Sequence, residues 1–326
     1  MKIYETLNED RILKNLLQKS EHLMYRYYAP KYVPYKKLAD FHYTILFKNK
    51  KKYILEENDN TLIYLTPTFL AWDTEQLGLR VGKLDFVKSV RRQNISEEML
   101  AHFIETVLKK IQAELKLEYI ITRIKASDVA LSMALEINGF RIIDGILTFM
   151  RDLNQAPPVE ENINKNLIVE FGCQDRVEEI IKLAEKMYIY DRFHNDPLIP
   201  KERADKLHGV WLDNSCKKRV VDEVIIGVLN GKLAGFVTCK LHRKLEEITG
   251  LKVGTIVLVG TSPEFRGQSV AYTLTIESLK WFKRKGIRFV EVGTQISNIP
   301  ASRLYEKAGF KLINTSLTFR RRVNYE

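Results

Sequence analysis

The chain has 326 residues, a formal net charge of +11 and 45% hydrophobic residues, a composition that is typical of a globular protein and excludes a disordered chain. The length predicts two domains. Because the charged N-terminal sequence lacks an apolar centre and no apolar stretch reaches the about 20 residues of a membrane span, we expect a cytoplasmic protein without a membrane segment.

The distribution of charges and cysteines excludes further classes. Lys and Arg residues are spread along the chain without the interleaved aromatic residues of a single-strand binder, so nucleic acid is not predicted as a partner. The histidines and carboxylates show no spacing such as His-x-x-x-His, and no metal is predicted. The cysteines (Cys173, Cys216 and Cys239) are scattered and odd in number, which predicts reduced thiols and no disulfide.

A change in composition at 151–166 predicts a linker between the two domains. Its sequence, RDLNQAPPVEENINKN, combines a Pro-Pro pair with acidic and Asn residues and has few apolar residues. We therefore predict an N-terminal domain over 1–150 and a C-terminal domain over 167–326.

Beyond the linker, strands and helices follow one another. The pattern predicts a strand and an amphipathic helix in LIVEFGCQDRVEEIIKLAEKMY, then two strands joined at Asn230-Gly231, a pair that tolerates the positive φ angles of a tight hairpin. The buried strand GTIVLVGTSP precedes a helix over 270–285. The strand IRFVEVGT, a helix ending at a left-handed Gly309 and the strand KLINTSLTFRR complete the order.

The N-terminal half repeats the end of this order. ALEINGFRIIDGILTF (134–149) aligns with LYEKAGFKLINTSLTF (304–319) at an offset of 170 residues, with seven identical positions. The alignment predicts an internal duplication. At the same offset Arg266, Gly267 and Tyr305 lie opposite Ser96, Glu97 and Leu135, so a ligand site made by the former residues belongs to the second half alone.

The segment RGQSVA at 266–271, between a buried strand and a helix, has the shape of a pyrophosphate cradle. The free amides of a helix start point outward and carry partial positive charge. Gly267 permits close approach of the backbone, and Ser269 and Ala271 are small. Ser269 is also expected to be able to cap the helix. The spacing alone is weakly specific, because it matches neither of the common nucleotide-binding glycine patterns.

The combination TSPEFRGQSVAYTL and NIPASRLYEKAGF resembles the GCN5-related N-acetyltransferase (GNAT) superfamily. The resemblance implies an α/β fold of two tandem GNAT-like domains, each a mixed, largely antiparallel twisted sheet flanked by helices, with a degenerate N-terminal copy. It implies acetyl-CoA as co-substrate. The implied cofactor-binding residues are Val259, Gly260, Thr261, Arg266, Gly267, Gln268, Ser269, Val270, Ala271 and Asn298. Ser269 stands where the family has glycine.

A narrower likeness concerns LAWDTEQLGLRVGKL, DRFHNDPLIPKERADKLHGVWLDNS and VGTQISNIPASRLYEKAGF. These segments look like those of acetyltransferases that modify dTDP-linked 4-amino-4,6-dideoxy sugars, such as dTDP-fucosamine acetyltransferase. The likeness implies a small-molecule acceptor amine on a nucleotide sugar. It leaves a homodimer open.

Acetyl transfer to an amine requires a polarised thioester carbonyl, a proton for the departing sulfur and a neutral nitrogen. By resemblance, Tyr305 is the general acid. The polar loop YDRFHND offers His194 as base or substrate contact, with bulk water as an equal alternative, because an unperturbed histidine titrates near neutral pH. The further predicted substrate contacts are Asp191, Arg192 and Gln295.

Other functions stay open from the sequence. The same transfer chemistry serves a peptide, lysine or polyamine amine. A polyamine binds best in an acidic cleft, and a net charge of +11 does not indicate one. A non-catalytic acyl-CoA sensor is the alternative outside enzymology, and the joint presence of Tyr305 and the Arg266 cradle disfavours it.

Overall fold

The structure, a computed structural model, describes residues 2–7, 11–20, 23–57, 60–88, 95–155 and 164–323. The chain forms two compact units. The first comprises Met1–Gly145, Glu247–Leu251 and Thr315–Glu326, and the second comprises Ile146–Glu246 and Lys252–Asn314. Within the described ranges, no helix combines the length and the apolar character that crossing a membrane requires.

The first unit is a mixed sheet with helices packed on it. Its strands are β1 (Lys2–Thr6), β2 (Lys52–Glu57), β3 (Asn60–Phe69), β4 (Val81–Lys88) and β5 (Tyr119–Lys125), and its helices are α1 (Arg11–Lys19), α2 (Tyr35–His42), α3 (Ala71–Leu77), α4 (Glu97–Leu115) and α5 (Val129–Ile137). The strands pair in chain order, antiparallel except for β4 with β5. Apolar residues of α4 recur at the spacing of one helix face and join the core: Leu100, Phe103, Ile104, Val107, Leu108 and Ile111.

The second unit repeats this architecture. Its strands are β6 (Arg141–Asp152), which enters from the first unit, β7 (Ile168–Phe171), β8 (Glu223–Leu229), β9 (Lys232–Leu241), β10 (Val253–Thr261) and β11 (Phe289–Gln295). Its helices are α6 (Val177–Met187), α7 (Arg192–Asn195), α8 (Lys201–Cys216), α9 (Arg243–Thr249), α10 (Val270–Arg284) and α11 (Ile299–Lys307). The order is β6-β11-β10-β9-β8-β7, with β10 and β11 parallel. A last strand, β12 (Lys311–Arg322), ends the order of elements.

The elements predicted for the second half are confirmed. The β8–β9 turn has Asn230 and Gly231 at φ angles of 53° and 75°, as a tight hairpin with the right-handed strand twist requires. Gly309 has a φ angle of 77° after α11, and Gly139 has 76° after α5. The bounds of β5, α5 and β6 differ from those of β11, α11 and β12 by 170 residues each, which is the offset of the sequence repeat. The predicted fold class, tandem α/β domains with mixed sheets, is confirmed.

The last strand of each repeat pairs in the unit of the other repeat. β6 pairs antiparallel with β11, from Ile146–Gln295 to Asp152–Phe289, and β12 pairs antiparallel with β5, from Ser316–Lys125 to Arg322–Tyr119. The same 170-residue offset converts one register into the other. As a result, Phe149 is buried in the core of the second unit, and its counterpart Phe319 is buried in the core of the first.

The compact units therefore do not follow the order of the chain. The predicted linker at 151–166 begins within β6, and residues 156–163 lie outside the described ranges. We keep 1–150 and 167–326 as the proposed limits of the two sequence repeats.

The prediction that no cysteine forms a disulfide is wrong. Cys173, in the turn after β7, and Cys216, the last residue of α8, form a disulfide, with a Cα–Cα distance of 5.7 Å. Cys239 is a buried free thiol. The sequence conceals this pair because its members are 43 residues apart and are brought together only by the packing of α6 and α8.

The strand exchange predicts where a core mutation acts. Phe319→Ala should cost about 3–5 kcal/mol, and the loss of hydrogen-exchange protection should fall on α4 and β5 of the first unit, because Phe319 is fully buried there. Phe149→Ala is the matched control and should instead expose β10 and β11. Loss of protection confined to the second unit in Phe319→Ala would contradict the exchange.

Candidate active site

The parallel pairing of β10 with β11 stops halfway along β10. It runs from Val253–Phe289 to Ile256–Val292, whereas on the other side β10 stays paired with β9 as far as Thr261–Gly235. A register shift between Ile256 and Val259 marks a bulge in β10. No described strand pairs with the β11-facing edge of Val259–Thr261. Such an edge offers backbone donors and acceptors to an extended ligand.

The predicted cradle directly follows this strand. A short 3₁₀ turn (Pro263–Phe265) leads into 266–269 and then α10. Arg266, Gly267 and Gln268 are exposed, whereas Val270 is buried and anchors the start of the helix. Gly267 has a φ angle of +79°, and no atom lies within 4 Å of where its Cβ would be. The cradle is thus open to solvent at the one position where a side chain would obstruct a phosphate.

Ser269 does not cap α10, which corrects the expectation from the sequence. Its backbone is left-handed, with φ 59° and ψ 16°, and its side chain makes no capping hydrogen bond. Its carbonyl oxygen accepts a hydrogen bond from the Thr273 amide at 2.9 Å. This left-handed conformation is the physical reason why glycine suits the position, since a Cβ is strained there.

Asn298 and Tyr305 lie on α11, which starts where β11 ends. The Asn298 side-chain oxygen caps the helix by accepting a hydrogen bond from the Ala301 amide at 3.2 Å. Asp128 caps α5 in the same way in the first repeat. Asn298 therefore has a structural role, and its predicted contact with the cofactor stays a proposal.

Tyr305 is buried in the core of the second unit with 4% of its surface exposed. Its ring lies 6.0 Å from that of Phe149 and 5.9 Å from that of Phe310, measured between centroids. Burial raises the pKa of Tyr305 well above its ordinary value, so the hydroxyl stays protonated at neutral pH. A protonated, immobilised phenol meets the requirement for a proton donor.

Asp191 and His194 form one hydrogen-bonded chain with Asp205 of α8. Asp191 caps α7 with one oxygen, which accepts from the amides of Phe193 and His194, and its other oxygen accepts from His194 Nδ1 at 2.6 Å. His194 Nε2 lies 2.9 Å from Asp205 Oδ1. Asp205 also accepts from Lys201 at 2.7 Å. These hydrogen bonds connect the buried carboxylate of Asp191 with the partly exposed carboxylate of Asp205.

The charges of Asp191, His194 and Asp205 stabilise one another. The hydrogen bond to Asp191 raises the pKa of His194, burial opposes the rise, and Asp205 adds to it. Burial works against ionisation of Asp191, but the bond from His194 and the proximity of His208 leave its pKa below the usual range. His194 is therefore an imidazolium near neutral pH, with both ring nitrogens donating to carboxylates.

Three residues were not predicted from the sequence: Asp205, which is part of this hydrogen-bonded chain, and His208 and Tyr188, which lie beside it. His208 is buried, donates from Nδ1 to the Ala204 carbonyl oxygen at 3.0 Å and places Nε2 3.7 Å from Asp191 Oδ2. Burial lowers the pKa of His208, and the nearby Asp191 opposes that shift. The helical spacing of Asp205 and His208 in ADKLH was the available signal, because it puts both side chains on one face of α8.

The other predicted substrate contacts are less constrained. The guanidinium of Arg192 lies 4.4 Å from the centroid of the Phe193 ring. Gln295 ends β11, is half-buried, and its carbonyl accepts from the Asn298 amide at 3.0 Å. Asp191, His194 and His208 bring one possible metal ligand each within 4.8 Å of one another. Because the Asp191–His194 hydrogen bond already occupies two of these atoms, we keep the prediction of no metal.

The corresponding helix start in the first unit is unsuited to an anion. Ser96 caps α4 by accepting a hydrogen bond from the Met99 amide at 3.2 Å, and Glu97 and Glu98 form its first turn. These carboxylates repel a phosphate, and the cap occupies an amide that α10 leaves without a side-chain cap.

Comparison with known proteins identifies the second half. A model of the Acetyltransferase (GNAT) family matches residues 186–310. Among curated relatives, an uncharacterized N-acetyltransferase of Methanocaldococcus jannaschii is 26% identical over 50% of this chain and 68% of its own length. The spore coat polysaccharide biosynthesis protein SpsD of Bacillus subtilis is 29% identical over 41% of this chain and 43% of its own. A mycothiol acetyltransferase of Thermobispora bispora is 33% identical over 28% of this chain and 30% of its own.

Solved structures share the fold over the whole chain. A GCN5-related N-acetyltransferase from Sphaerobacter thermophilus has a TM-score of 0.64 at 16% identity and covers 99% of this chain and 97% of its own. A tandem GNAT protein from the clavulanic acid biosynthesis pathway has a TM-score of 0.54 at 12% identity, covering 100% and 99%. The family model and the curated N-acetyltransferase relatives confirm the predicted class of enzyme, an N-acetyltransferase. The chain spans less than half the length of two of the three relatives.

The left-handed Ser269 predicts a stabilising substitution. Ser269→Gly should raise the free energy of unfolding by up to about 1 kcal/mol, because glycine removes the Cβ strain and loses part of that gain to the entropy of the unfolded chain. Ser269→Ala is the control and should be nearly neutral, since the hydroxyl makes no capping bond. Urea denaturation measures both, and a destabilised Ser269→Gly would show that the hydroxyl has a role that this geometry does not reveal.

The Asp191–His194–Asp205 chain predicts a pH dependence. Because the folded-state pKa of His194 lies above the unfolded value of about 6.5, its stabilisation is complete below that pH and is lost as the pH rises through the folded pKa. The difference in unfolding free energy between wild type and His194→Gln should thus be larger at pH 6 than at pH 9. A difference that does not change with pH would disprove the charged pairing.

Proposed function

We propose that the protein transfers the acetyl group of acetyl-CoA to the amino group of a nucleotide-linked amino-deoxy sugar of the dTDP-4-amino-4,6-dideoxyhexose class. Enzymes of the GNAT family generally use acetyl-CoA. The observation that carries the proposal is that three features occur together in the second unit. They are the open edge of β10, the uncapped start of α10 with its exposed, left-handed Gly267, and the buried, protonated Tyr305.

Each part suits one portion of the donor. The amides of 266–271 and the positive end of α10 suit the pyrophosphate. The free edge of Val259–Thr261 suits the amide groups of the pantetheine arm, and its backbone N–H groups suit the thioester carbonyl. Arg266 adds a positive charge at the exposed side of the cradle. Asn298, at the start of α11, is proposed to contact the pantetheine.

The transfer is a direct attack. The lone pair of the amine forms a C–N bond with the thioester carbon, and the C–S bond breaks with its electron pair leaving on sulfur. We assign to Tyr305 the proton that the sulfur receives, because its hydroxyl stays protonated at neutral pH and can hydrogen-bond to the negative charge that develops on the departing sulfur. The amine loses one proton, which restores the Tyr305 hydroxyl by way of solvent or the site's polar groups.

In this proposal His194 is not a simple general base. Since both of its ring nitrogens face carboxylates, the imidazolium accepts no proton until it has passed one to Asp205. We therefore propose that Asp191 and His194 carry away the proton that the amine loses, with bulk water as the alternative. Arg192 and Gln295 are kept as proposed contacts of the acceptor.

The acceptor class rests on likeness and charge. SpsD is named for polysaccharide biosynthesis, which supports a sugar, and the +11 charge favours an acceptor that carries phosphates. A peptide, lysine or polyamine amine, or a role as an acyl-CoA sensor, is the alternative. The proposal includes a cytoplasmic location, where acetyl-CoA is available, and leaves a homodimer open.

The proposal is tested by following thiol release from acetyl-CoA. A panel of dTDP- and UDP-linked amino sugars, with peptides and polyamines as controls, should give the highest kcat/KM for a dTDP-4-amino sugar. Gly267→Glu places a carboxylate in the cradle and should abolish both turnover and thermal stabilisation by acetyl-CoA. Calorimetry should find one acetyl-CoA per chain. Preference for a peptide or polyamine would reject the sugar, and two equivalent sites would reject the assignment to the second half alone.

Tyr305→Phe separates catalysis from packing. Phenylalanine keeps the ring between Phe149 and Phe310 and removes only the hydroxyl. As general acid catalysis contributes about 10²–10⁴-fold, kcat should fall by that order with little change in the KM for acetyl-CoA. Steady-state kinetics with the best acceptor of the panel measures this. A kcat within about twofold of wild type, with chemistry rate-limiting, would remove Tyr305 from the mechanism and favour a sensor.

A further inference from the structure

The hydroxyl of Tyr188, at the end of α6, is buried and unpaired among the residues that the structure describes. The Tyr188 ring stacks on the His208 ring, with centroids 4.3 Å apart and planes at 18°. Its hydroxyl is shielded from solvent and makes no hydrogen bond to any residue in the described ranges. Such an unpaired group is unfavourable in a folded protein, so it calls for a physical reason.

The position of Tyr188 supplies a reason. The preceding residue, Met187, lies against Gly260: a Cβ at Gly260 would be 2.6 Å from the Met187 Sδ. Gly260 is the central residue of the open edge of β10. The Met187 side chain therefore lies against the strand segment that the proposed function assigns to the thioester, and Tyr188 is the next residue along the chain.

Tyr188 and Tyr305 approach this edge from different cores. Tyr188 packs with the α6–α8 cluster, whereas Tyr305 belongs to the cluster around α10. Because neighbouring residues of a strand point to opposite faces, Gly260 faces Met187 while Val259 packs on the α10 cluster. Burial raises the pKa of Tyr188, so its hydroxyl stays protonated.

We propose that Tyr188 is a second catalytic tyrosine, whose hydroxyl donates a hydrogen bond to the carbonyl oxygen of the bound acetyl group. This inference rests on the proposed function. Tyr305 is assigned to the sulfur of the same thioester, so the two hydroxyls would serve the two heteroatoms of one carbon. Tyr188 remains protonated, which makes it a donor.

The hydrogen bond strengthens as the reaction proceeds. When the amine attacks, the C–N bond forms and the π electrons of the carbonyl move to its oxygen, to which Tyr188 donates without losing its proton. When the C–S bond breaks, those electrons restore the carbonyl, and the thiolate takes the proton from Tyr305. A donor fixed in advance toward developing charge lowers the barrier.

His208 is the positioning residue for this donor. Its Nδ1 is fixed by the Ala204 carbonyl, and its ring supports Tyr188 face to face. The stacking leaves the Tyr188 ring little freedom, which is the condition under which a hydrogen-bond donor is effective without reorganisation.

Tyr188→Phe tests the inference by binding, independently of which amine is the acceptor. Calorimetry should show a loss of affinity for acetyl-CoA of about threefold to tenfold, as expected for one neutral hydrogen bond, and unchanged affinity for CoA, which lacks the carbonyl. With the acceptor from the panel, kcat should fall by at least about tenfold. The melting temperature of the free protein should be unchanged or higher, since no protein hydrogen bond is lost.

Tyr53→Phe is the matched control. Tyr53 lies in β2 of the first unit, and its buried hydroxyl also lacks a hydrogen-bond partner in the described ranges. The same chemical change there should leave both affinities and kcat unchanged. In Tyr188→Phe, an unchanged acetyl-CoA affinity and kcat, an equal loss for CoA and acetyl-CoA, or a lowered melting temperature would each overturn the assignment. A wild type that binds no acetyl-CoA would overturn the proposed function as well, whereas failure of the sugar panel alone would not affect this test.

Discussion

The separation of β10 from β11 is the feature on which the site depends. Two parallel strands that stayed paired along their length would leave no free backbone between them and no gap for a ligand. The bulge between Ile256 and Val259 ends the ladder, and the elements that follow each strand then start on either side of the opening. α10 starts with the cradle and α11 with the Asn298 cap, so the position of the polar groups follows from where one ladder stops.

The first unit shows that this separation is a property of the fold. Its β4–β5 ladder is also four residue pairs long, from Val81–Tyr119 to Leu84–Thr122. What differs is the chemistry at the helix start, where Ser96 and two glutamates replace an exposed left-handed glycine and an uncapped amide row. Electrostatics, not topology, distinguishes the two copies as hosts for a phosphorylated ligand.

Much of this could be predicted from the sequence because the signals are local. The Asn230-Gly231 hairpin, Gly309 and the 170-residue offset depend on backbone preferences or on direct alignment. Other contacts join residues that only the packing of α6, α7 and α8 brings together, and the periodicity of a sequence does not encode such partners. They are the Cys173–Cys216 bond, the Tyr188–His208 stack and the contacts of His194 with carboxylates. The exchange of β6 and β12 was equally hidden, since both strands have the same pattern and suit either sheet.

That exchange affects how the protein can be synthesised and divided. Because β5 pairs with β12 of the second repeat, a ribosome has to make both repeats before the sheet of the first unit acquires that strand. Until then the nascent first half exposes the edge of β5, and β6 cannot form its ladder with β11 before β11 has been made. Cutting the chain between the repeats would leave each half with the strand that pairs in the unit of the other half.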